Sequence, residues 1–342
     1  MVVNLSENRI TVVITSYNAG RYISRCINSA LNQTFPDVEV IVVDDGSTDN
    51  TKEIVESYTE KVRYIRFESN KGPAAGRTKG LMEANTEFIA FLDSDDYWRP
   101  KFVETTVRFL RDNPEAIAVN TAYCKEDWDG RTYYRPILDE ADREYYGGNG
   151  CICENFYEYW AKYRSILTGT VMMRTDIAQK TRGQQEDLRL TQDLEFWGYL
   201  ATFGKWGYIP QHLFVTDERI LTSKERWSKI KRRYAFFREL TIESWASRII
   251  LKLSDERSKK GFEGIVAHIA TTIALANAYT FRFRKSRQLA IQWRDKLDRG
   301  LGSVLRLGLK GGPLLWPMVC LALRLREVTK TYTRPLKQRL FG

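Results

Sequence analysis

Phe88-Ile89-Ala90-Phe91-Leu92-Asp93-Ser94-Asp95-Asp96 is a run of five apolar residues that ends abruptly in four polar ones. A run this short, bounded by turn residues, reads as a strand buried on both faces. The same design occurs twice upstream. Residues 10–15 (Ile-Thr-Val-Val-Ile-Thr) lead into Ser16-Tyr17-Asn18, and residues 38–43 (Val-Glu-Val-Ile-Val-Val) lead into Asp44-Asp45-Gly46. Residues 62–67 read as a further strand.

Helical spacing fills the gaps. Ile23, Ile27, Ala30 and Leu31 share one face of residues 22–31, and Ser47 to Asn50 supply capping groups before Ile54, Val55 and Tyr58. Asn70-Lys71-Gly72-Pro73 introduces a helix over 72–84, and Pro100 starts another. Strands alternating with helices predict an α/β fold with a mostly parallel sheet covered on both faces. Such sheets bind ligands beyond the carboxyl ends of their strands, where Thr15 to Asn18, Asp44-Asp45 and Asp93 to Asp96 all fall.

Further on the pattern weakens. Residues 125–165 read as a loop-rich, aromatic, substrate-facing stretch. Residues 165–173 resume a strand, 191–203 form a helix with Leu194, Trp197, Leu200 and Ala201 facing inward, and 206–215 hold further short strands. From about Thr222 the chain reads as helical. The expected division is 1–221, with a first half of about 1–120 and a second of about 121–221, followed by a basic helical region over 222–342.

The 342 residues are 43% hydrophobic and 28% charged, which excludes a disordered, collagen-like or polytopic membrane chain. The charge is unevenly spread. Residues 226–342 carry 26 basic and 8 acidic side chains, whereas residues 1–225 carry 27 basic and 35 acidic. The basic half points to an anionic partner: a membrane surface, a nucleic acid or a phosphorylated substrate. Five cysteines (Cys26, Cys124, Cys151, Cys153, Cys320) show no disulfide pattern. With only His212 and His268 beside Cys151-x-Cys153, a zinc site is not expected. Residues 1–10 have no apolar signal core, so cytosol is the default compartment.

Asp93-x-Asp95 on a turn after a buried strand suits a hard divalent cation, Mn²⁺ or Mg²⁺, with Asp96 a third oxygen source. Such an ion bridges the phosphates of a nucleotide and stabilises a departing diphosphate. The competing reading is turn and capping chemistry by the same residues. The context of three converging strand ends favours the metal.

Val12-Val13-Ile14-Thr15-Ser16-Tyr17-Asn18, Ser29 to Thr34, Val42-Val43-Asp44-Asp45-Gly46-Ser47-Thr48-Asp49, Asn70 to Gly80, and Phe91-Leu92-Asp93-Ser94-Asp95-Asp96-Tyr97-Trp98 together resemble glycosyltransferase family 2. The likeness is dense over about 10–112 and looser to about 220. It implies a GT-A fold, an inverting transfer from a nucleotide-diphosphate sugar, most often a UDP-sugar, and a divalent metal. By motif it implies that Thr15 and Tyr17 line the nucleotide, that Asp45 with Asp44 beside it accepts from the base, and that Arg77 contacts the donor. Gly76-Arg77-Thr78 stands where the family usually has Ala-Arg-Asn. Asp93 with Ser94 would hold the sugar or ribose, and Asp95 the metal. Gly169, Thr170 and Trp197 would face the acceptor.

An inverting transfer needs a base for the acceptor hydroxyl. Thr191-Gln192-Asp193-Leu194-Glu195-Phe196-Trp197 matches the family's position for it, with Gln192 in place of the common Glu. Asp193 is the candidate, Glu195 the fallback, and Glu186-Asp187 a further alternative. The bland reading of Asp193 is an anion at a helix N-terminus. His212 is a conceivable extra metal ligand. Residues 219–227 occupy the place of a family segment that closes over the diphosphate, where Lys224 or Arg226 could touch phosphate; the equal alternative is a solvated basic helix start. Ser223, three residues before Arg226-Trp227, stands where processive synthases need Gln, which implies addition of one sugar at a time.

Residues 264–281 carry no charge but are rich in Ala and Thr, and read as a buried helix rather than a span. Residues 314–323 (Leu-Leu-Trp-Pro-Met-Val-Cys-Leu-Ala-Leu) lie among Arg306, Lys310, Arg324, Arg326, Lys330, Arg334, Lys337 and Arg339. That pattern suits an amphipathic segment on an anionic membrane; the alternative is packing on its own domain or on a second subunit. The resemblance extends this to a peripheral enzyme on the cytoplasmic membrane face that acts on a glycan or lipid-linked acceptor for surface polysaccharide, with a homo-oligomer left open. The rivals are a nucleotidyltransferase, against which the lack of a Gly-rich loop after the first strand counts, and a binding protein for nucleic acid or another anionic surface through the basic tail. No nucleic-acid motif supports the latter, and no nucleic-acid partner is expected.

Overall fold

The computed structural model describes residues 6–127, 130–188, 190–220, 222–297 and 301–325. They fall into two compact units. The first comprises Met1–Phe156 and Tyr163–Ile220, the second Tyr157–Lys162 and Leu221–Gly342.

The first unit is built on ten strands: β1 (Ser6–Ser16), β2 (Val38–Asp44), β3 (Val62–Arg66), β4 (Thr86–Asp93), β5 (Tyr97–Trp98), β6 (Ala116–Glu126), β7 (Thr132–Arg135), β8 (Cys151–Ile152), β9 (Val171–Arg174) and β10 (Lys205–Asp217). Their order is β3-β2-β1-β4-β9-β6-β10-β5, with β7 beside β6 and β8 beside β10. β1 to β4 are mutually parallel, β9 runs antiparallel between β4 and β6, and β10 is parallel to β6. This is the α/β, mostly parallel sheet that the alternating pattern predicts, with antiparallel strands added.

The apolar runs become strands because both of their faces are covered. Val12, Val13, Ile14, Val40 to Val43 and Phe88 to Leu92 are all buried. The helix Ile23–Leu31 buries Ile23, Ile27 and Ala30 of the stripe its spacing predicts, with Cys26 added and Leu31 only half-buried. The helix Pro73–Glu83 enters through Gly72 at φ +94°, a conformation suited to glycine, with Pro73 opening the first turn. It lies so close to the sheet that a Cβ on Gly80 would stand 2.2 Å from Val13 Cγ1.

Three expectations are corrected. Residues 125–165 are not mainly loop: they hold β7, the helix Glu140–Tyr146, β8 and the helix Phe156–Tyr163. These elements are too short to show a period, and several of their aromatics (Tyr146, Phe156, Tyr157, Tyr159, Trp160) are core residues rather than substrate-facing ones. Residues 165–173 are strand only from Val171; Thr168–Thr170 form a short 3₁₀ turn closed by Thr170 Oγ1, which donates to the Leu167 carbonyl at 2.7 Å. Residues 206–215 form one strand, not several. β10 shifts register around Ile209 to His212, where Pro210 lacks a ladder donor.

The second unit is helical. Its helices include Ser223–Phe237, Ile242–Ile250, Glu256–Tyr279, Phe283–Gln292 and Leu301–Lys310, and residues 312–325 are also helical. Thr222, Thr241 and Asp255 cap the first three by accepting the backbone N–H of Glu225, Ser244 and Ser258. The uncharged stretch lies in Glu256–Tyr279 and buries Ile265, Ile269, Ile273 and Ala274. No helix among the described residues is long and apolar enough to cross a membrane. Tyr157 and Glu158 belong with this unit because Tyr157 packs on Phe262 (ring centroids 5.7 Å) and Glu158 pairs with Arg257 at 2.7 Å. Of the predicted amphipathic segment's basic flank, Arg326, Lys330, Arg334, Lys337 and Arg339 lie outside the described residues.

Candidate active site

Register brings the polar clusters to one edge. β1 lies between β2 and β4, with Thr15 opposite Val43 on one side and Asp93 on the other, and Ser16 opposite Asp44. The loop after β1 is tied to the loop after β2. The Asn18 N–H donates to Ser47 Oγ at 2.9 Å, and Asn18 Oδ1 accepts the Thr48 N–H at 2.9 Å. The Ala19 N–H donates to Thr51 Oγ1 at 2.8 Å. Tyr17 rides on this pinned loop and is 49% exposed.

The neighbouring carboxylates Asp44 and Asp45 have different occupations. Asp44 is fully buried. It accepts from the Ser47 N–H (3.0 Å), Ser47 Oγ (2.5 Å) and Tyr64 Oη (2.5 Å). Burial and this carboxylate push the Tyr64 phenol well up, so it stays a donor. Asp45 accepts the Lys71 N–H at 2.6 Å and the Gly72 N–H at 2.8 Å, one on each oxygen. It thereby anchors the turn that launches the helix Pro73–Glu83.

Arg77 projects from that helix and is nearly fully buried. Its Nη2 donates to Asp93 Oδ1 at 2.5 Å and its Nη1 to Gln184 Oε1 at 3.2 Å. Thr15 Oγ1 donates to the same Asp93 oxygen at 3.4 Å. Burial alone would lower the Arg77 pKa, but the charges of Asp93 and Asp193 outweigh it and hold the guanidinium firmly ionised. Arg77 Nε is buried without a hydrogen-bond partner among the described residues. The glycine at 76 follows from packing, since a Cβ there would stand 3.0 Å from Thr15 Cγ2.

Asp193 opens the helix Gln192–Leu200 and accepts the Leu194 N–H at 2.8 Å. Burial raises its pKa above the usual carboxylate value; Arg77 and the Leu194 N–H oppose that rise, and Asp93 adds to it. Arg77 thus feels two acids that lie on different elements and far apart in the chain.

The turn after β4 is closed by the Asp96 N–H donating to the Asp93 carbonyl at 3.0 Å. Ser94 is buried, while Asp95 and Asp96 are half-buried. The turn is held from below. Cys26 Sγ donates to the Asp93 carbonyl at 3.5 Å, and burial pushes that thiol up so that it stays neutral. Arg25 Nη2 donates to the Asp95 carbonyl at 3.0 Å, and its other Nη pairs with Asp217. The Arg25 guanidinium also stacks 4.6 Å from the Tyr97 ring centroid. Asp217 is drawn down to about 2 by hydrogen bonds from Arg219 and Arg25 despite its burial. Arg25, Asp217 and Gln184 were not among the sequence-derived site residues. Each acts through a partner distant in sequence, so no local pattern marks it.

The acceptor-facing assignments do not match the geometry. Trp197 is fully buried among Phe91, Phe196 and Trp206, with ring centroids 5.0 to 6.2 Å apart, and is a core residue. Gly169 and Thr170 are buried as well. The Gly169 carbonyl accepts Trp98 Nε1 at 2.6 Å, and a Cβ on Gly169 would meet the Phe214 ring at 2.2 Å. All three residues are packed in the interior of the first unit.

Asp93, Asp95 and Asp96 are hard oxygen donors on a tight turn, the chemistry that Mg²⁺ or Mn²⁺ prefers. Among the described residues no group of three His, Cys, Asp or Glu side chains is gathered as a metal cage. The set therefore fits an ion held by one or two carboxylates that completes its shell with substrate oxygens and water. His212 lies in β10 against the Tyr134 ring (5.0 Å), with burial lowering its pKa. Lys224 and Arg226 lie in the first turns of the helix Ser223–Phe237 of the second unit.

Comparison with known proteins agrees with this arrangement. Residues 11–174 match the model of Glycosyl transferase family 2. The glycosyltransferase GlyA of Streptococcus pneumoniae is 28% identical over 254 residues, which are 73% of this chain and 34% of GlyA; the chain therefore spans about a third of that relative. TuaG of Bacillus subtilis, a glycosyltransferase named for teichuronic acid biosynthesis, is 28% identical over 68% of this chain and 88% of its own length. Among solved structures, S. aureus TarS with UDP has a TM-score of 0.54 at 19% identity, covering 89% of this chain and 92% of that one. The mannosyltransferase PcManGT of Pyrobaculum calidifontis with GDP-Man and Mn²⁺ has a TM-score of 0.56 at 15% identity, covering 97% and 91%. At such identity these structures establish the fold alone. The family match spans β1 to β9 and includes the Arg77–Asp93 pair and the acidic turn, which sets the nucleotidyltransferase alternative aside. Over residues 11–174, just under half of its length, the chain is similar to Glycosyl transferase family 2.

Proposed function

We propose that the protein is an inverting glycosyltransferase of polysaccharide biosynthesis. It moves one sugar at a time from a nucleotide-diphosphate sugar, a UDP-sugar by preference, to a hydroxyl of a glycan or lipid-linked acceptor. The observation that carries the reading is the convergence of Thr15, Arg77, Asp93 and Asp193 at the carboxyl edge of β1 and β4, beside the acidic turn. The nucleotides held by TarS (UDP) and PcManGT (GDP-Man) support the donor class.

In this reading Tyr17 stacks on the base, which suits an exposed ring on a pinned loop. Asp45 keeps the adjoining turn in place and accepts from the base with its remaining lone pairs, while Asp44 stays structural. Arg77 orients Asp93 toward the sugar or ribose. Asp95, with Asp93 or Asp96, would hold Mn²⁺ or Mg²⁺, which when bound neutralises the diphosphate charge. Asp193 takes the acceptor hydroxyl proton as that oxygen forms its bond to the anomeric carbon and the bond to the diphosphate breaks. Its raised pKa makes the carboxylate a stronger base than an exposed aspartate. The enzyme would work at the cytoplasmic face of a membrane, where lipid-linked acceptors present their glycans.

Calorimetry with UDP, GDP, dTDP and CMP, each with and without Mn²⁺, tests the donor class. Metal-dependent binding of one nucleoside diphosphate is the expected result. Failure of the folded protein to bind any of them would overturn the reading.

A further inference from the structure

Residues 301–325 form two helices that fold on each other. They meet at Gly308, where a Cβ would stand 3.0 Å from Val319 Cγ1 and 3.3 Å from the Trp316 ring. Leu305, Trp316, Cys320 and Leu323 turn inward and join one core cluster with Ala274, Leu275, Ala278 and Tyr279. The outward face is unusual for a protein surface in water. Leu314 is 88% exposed, Leu325 65%, Met318 64% and Leu315 50%, with Leu321 also exposed. Residues 314, 318, 321 and 325 recur at helical spacing, so they make one stripe. Leu307 on the preceding helix is 67% exposed.

No charge interrupts this face. Arg324 is the only ionisable group besides Cys320 between 314 and 325, and it is turned aside. Its Nη1 donates to the Tyr279 carbonyl at 2.5 Å, and its guanidinium lies 4.0 Å from the Phe281 ring centroid. Scattered exposed apolar residues are ordinary, but a continuous stripe marks a surface that something covers.

The charge of the chain segment that carries the stripe, read from its sequence, argues for what covers it. Residues 282–342 carry 15 basic and 3 acidic side chains. A second copy would bring two equally positive surfaces together, which like-charge repulsion opposes. A nucleic acid would use the charge and leave the apolar stripe wet. An anionic bilayer uses both: leucine and methionine side chains enter the acyl boundary while lysine and arginine meet the lipid phosphates. We propose that residues 301–325 dock this protein onto an anionic lipid surface through Leu307, Leu314, Leu315, Met318, Leu321 and Leu325. The membrane attachment stands independently of the donor chemistry proposed above.

The test is flotation of the full chain with vesicles of phosphatidylcholine, alone or with about one-third phosphatidylglycerol, at low and high salt. The chain should partition onto the anionic vesicles at least about tenfold better than onto the neutral ones, and less at high salt. Leu314→Gln/Met318→Gln changes only exposed side chains. It should lower partitioning at least about tenfold with an unchanged melting temperature. UDP binding by the same variant reports separately on the donor site. Absent binding, binding unaffected by the double substitution, or equal binding to neutral vesicles would each overturn the proposal. So would a dimer in sedimentation equilibrium that the double substitution dissolves, because a second copy would then own the stripe.

Discussion

Arg77 Nη2 donates to Asp93 Oδ1 at 2.5 Å, and the guanidinium is buried while the carboxylate keeps 31% of its side chain exposed. The pair joins the helix after β3 to the carboxyl end of β4, and Gln184 on the other side of the guanidinium ties in a third segment. A planar fork with several fixed donors suits this task, whereas an ammonium presents a single charged point. The Arg77 charge also faces Asp193. One buried cation therefore pairs with the carboxylate assigned to the donor and opposes the rise that burial imposes on the one assigned as base.

Arg77→Lys should lower kcat/KM by about a hundredfold, because lysine cannot engage Asp93 and Gln184 together. Steady-state kinetics measures the loss, and circular dichroism should show an intact fold. Turnover within about twofold of the unsubstituted enzyme would remove Arg77 from the machinery.

Asp193→Asn should reduce kcat by about a hundredfold or more while UDP binding persists, since loss of a general base acts on the chemical step. The acidic limb of the pH–rate profile should lie above the ordinary aspartate value, because burial raises this carboxyl and only its ionised form accepts a proton. In the asparagine variant that limb should vanish from the residual activity. A limb unchanged by the substitution would transfer the role to another acid, Glu195 first.

Asp217 titrates near 2 in the folded chain, below the unfolded value of about 3.9. Its carboxylate therefore contributes stability that is complete above the unfolded pKa and is lost as pH falls toward 2. Asp217→Asn should cost about 2 kcal/mol near neutrality, and the gap should close on acidification from about pH 4. Denaturant titrations of both proteins across that range provide the check. A gap independent of pH would mean that packing, not charge, is what the substitution removes.

Gly80→Ala should destabilise the first unit by about 1–3 kcal/mol, because its Cβ would overlap Val13 on the central strand β1. Thermal unfolding would register this. Gly148→Ala is the control: nothing lies within 4 Å of its added Cβ.

The legible parts were those with a local period or an abrupt polarity change. β1, β2 and β4 carry apolar runs, whereas β3 mixes Val62 and Ile65 with Arg63 and Arg66, and each site-forming strand ends in the polar residues that line the edge. The helix Ile23–Leu31 followed from its buried stripe. The weaker readings came from residues whose partners are remote. Asp44 and Asp45 look interchangeable in the chain, yet Tyr64 claims one and the Lys71–Gly72 turn claims the other. Trp197 occupies a motif position, but Phe91 and Trp206 enclose it. Arg25 and Asp217 stand 192 positions apart, and no periodicity relates them.

Order and composition alone were enough for the α/β class, the edge where the polar clusters gather, the acidic turn and the contrast between an acidic front and a basic rear. Those features depend on side-chain polarity along a strand or helix, which is a local property. Folding in three dimensions assigned the partners. It paired Arg77 with Asp93 within reach of the Asp193 charge, withdrew Asp44 into the protein, buried Trp197 and left Leu314 and Met318 exposed. Burial and electrostatic coupling depend on which segments meet, and that is decided by the packing of the whole chain.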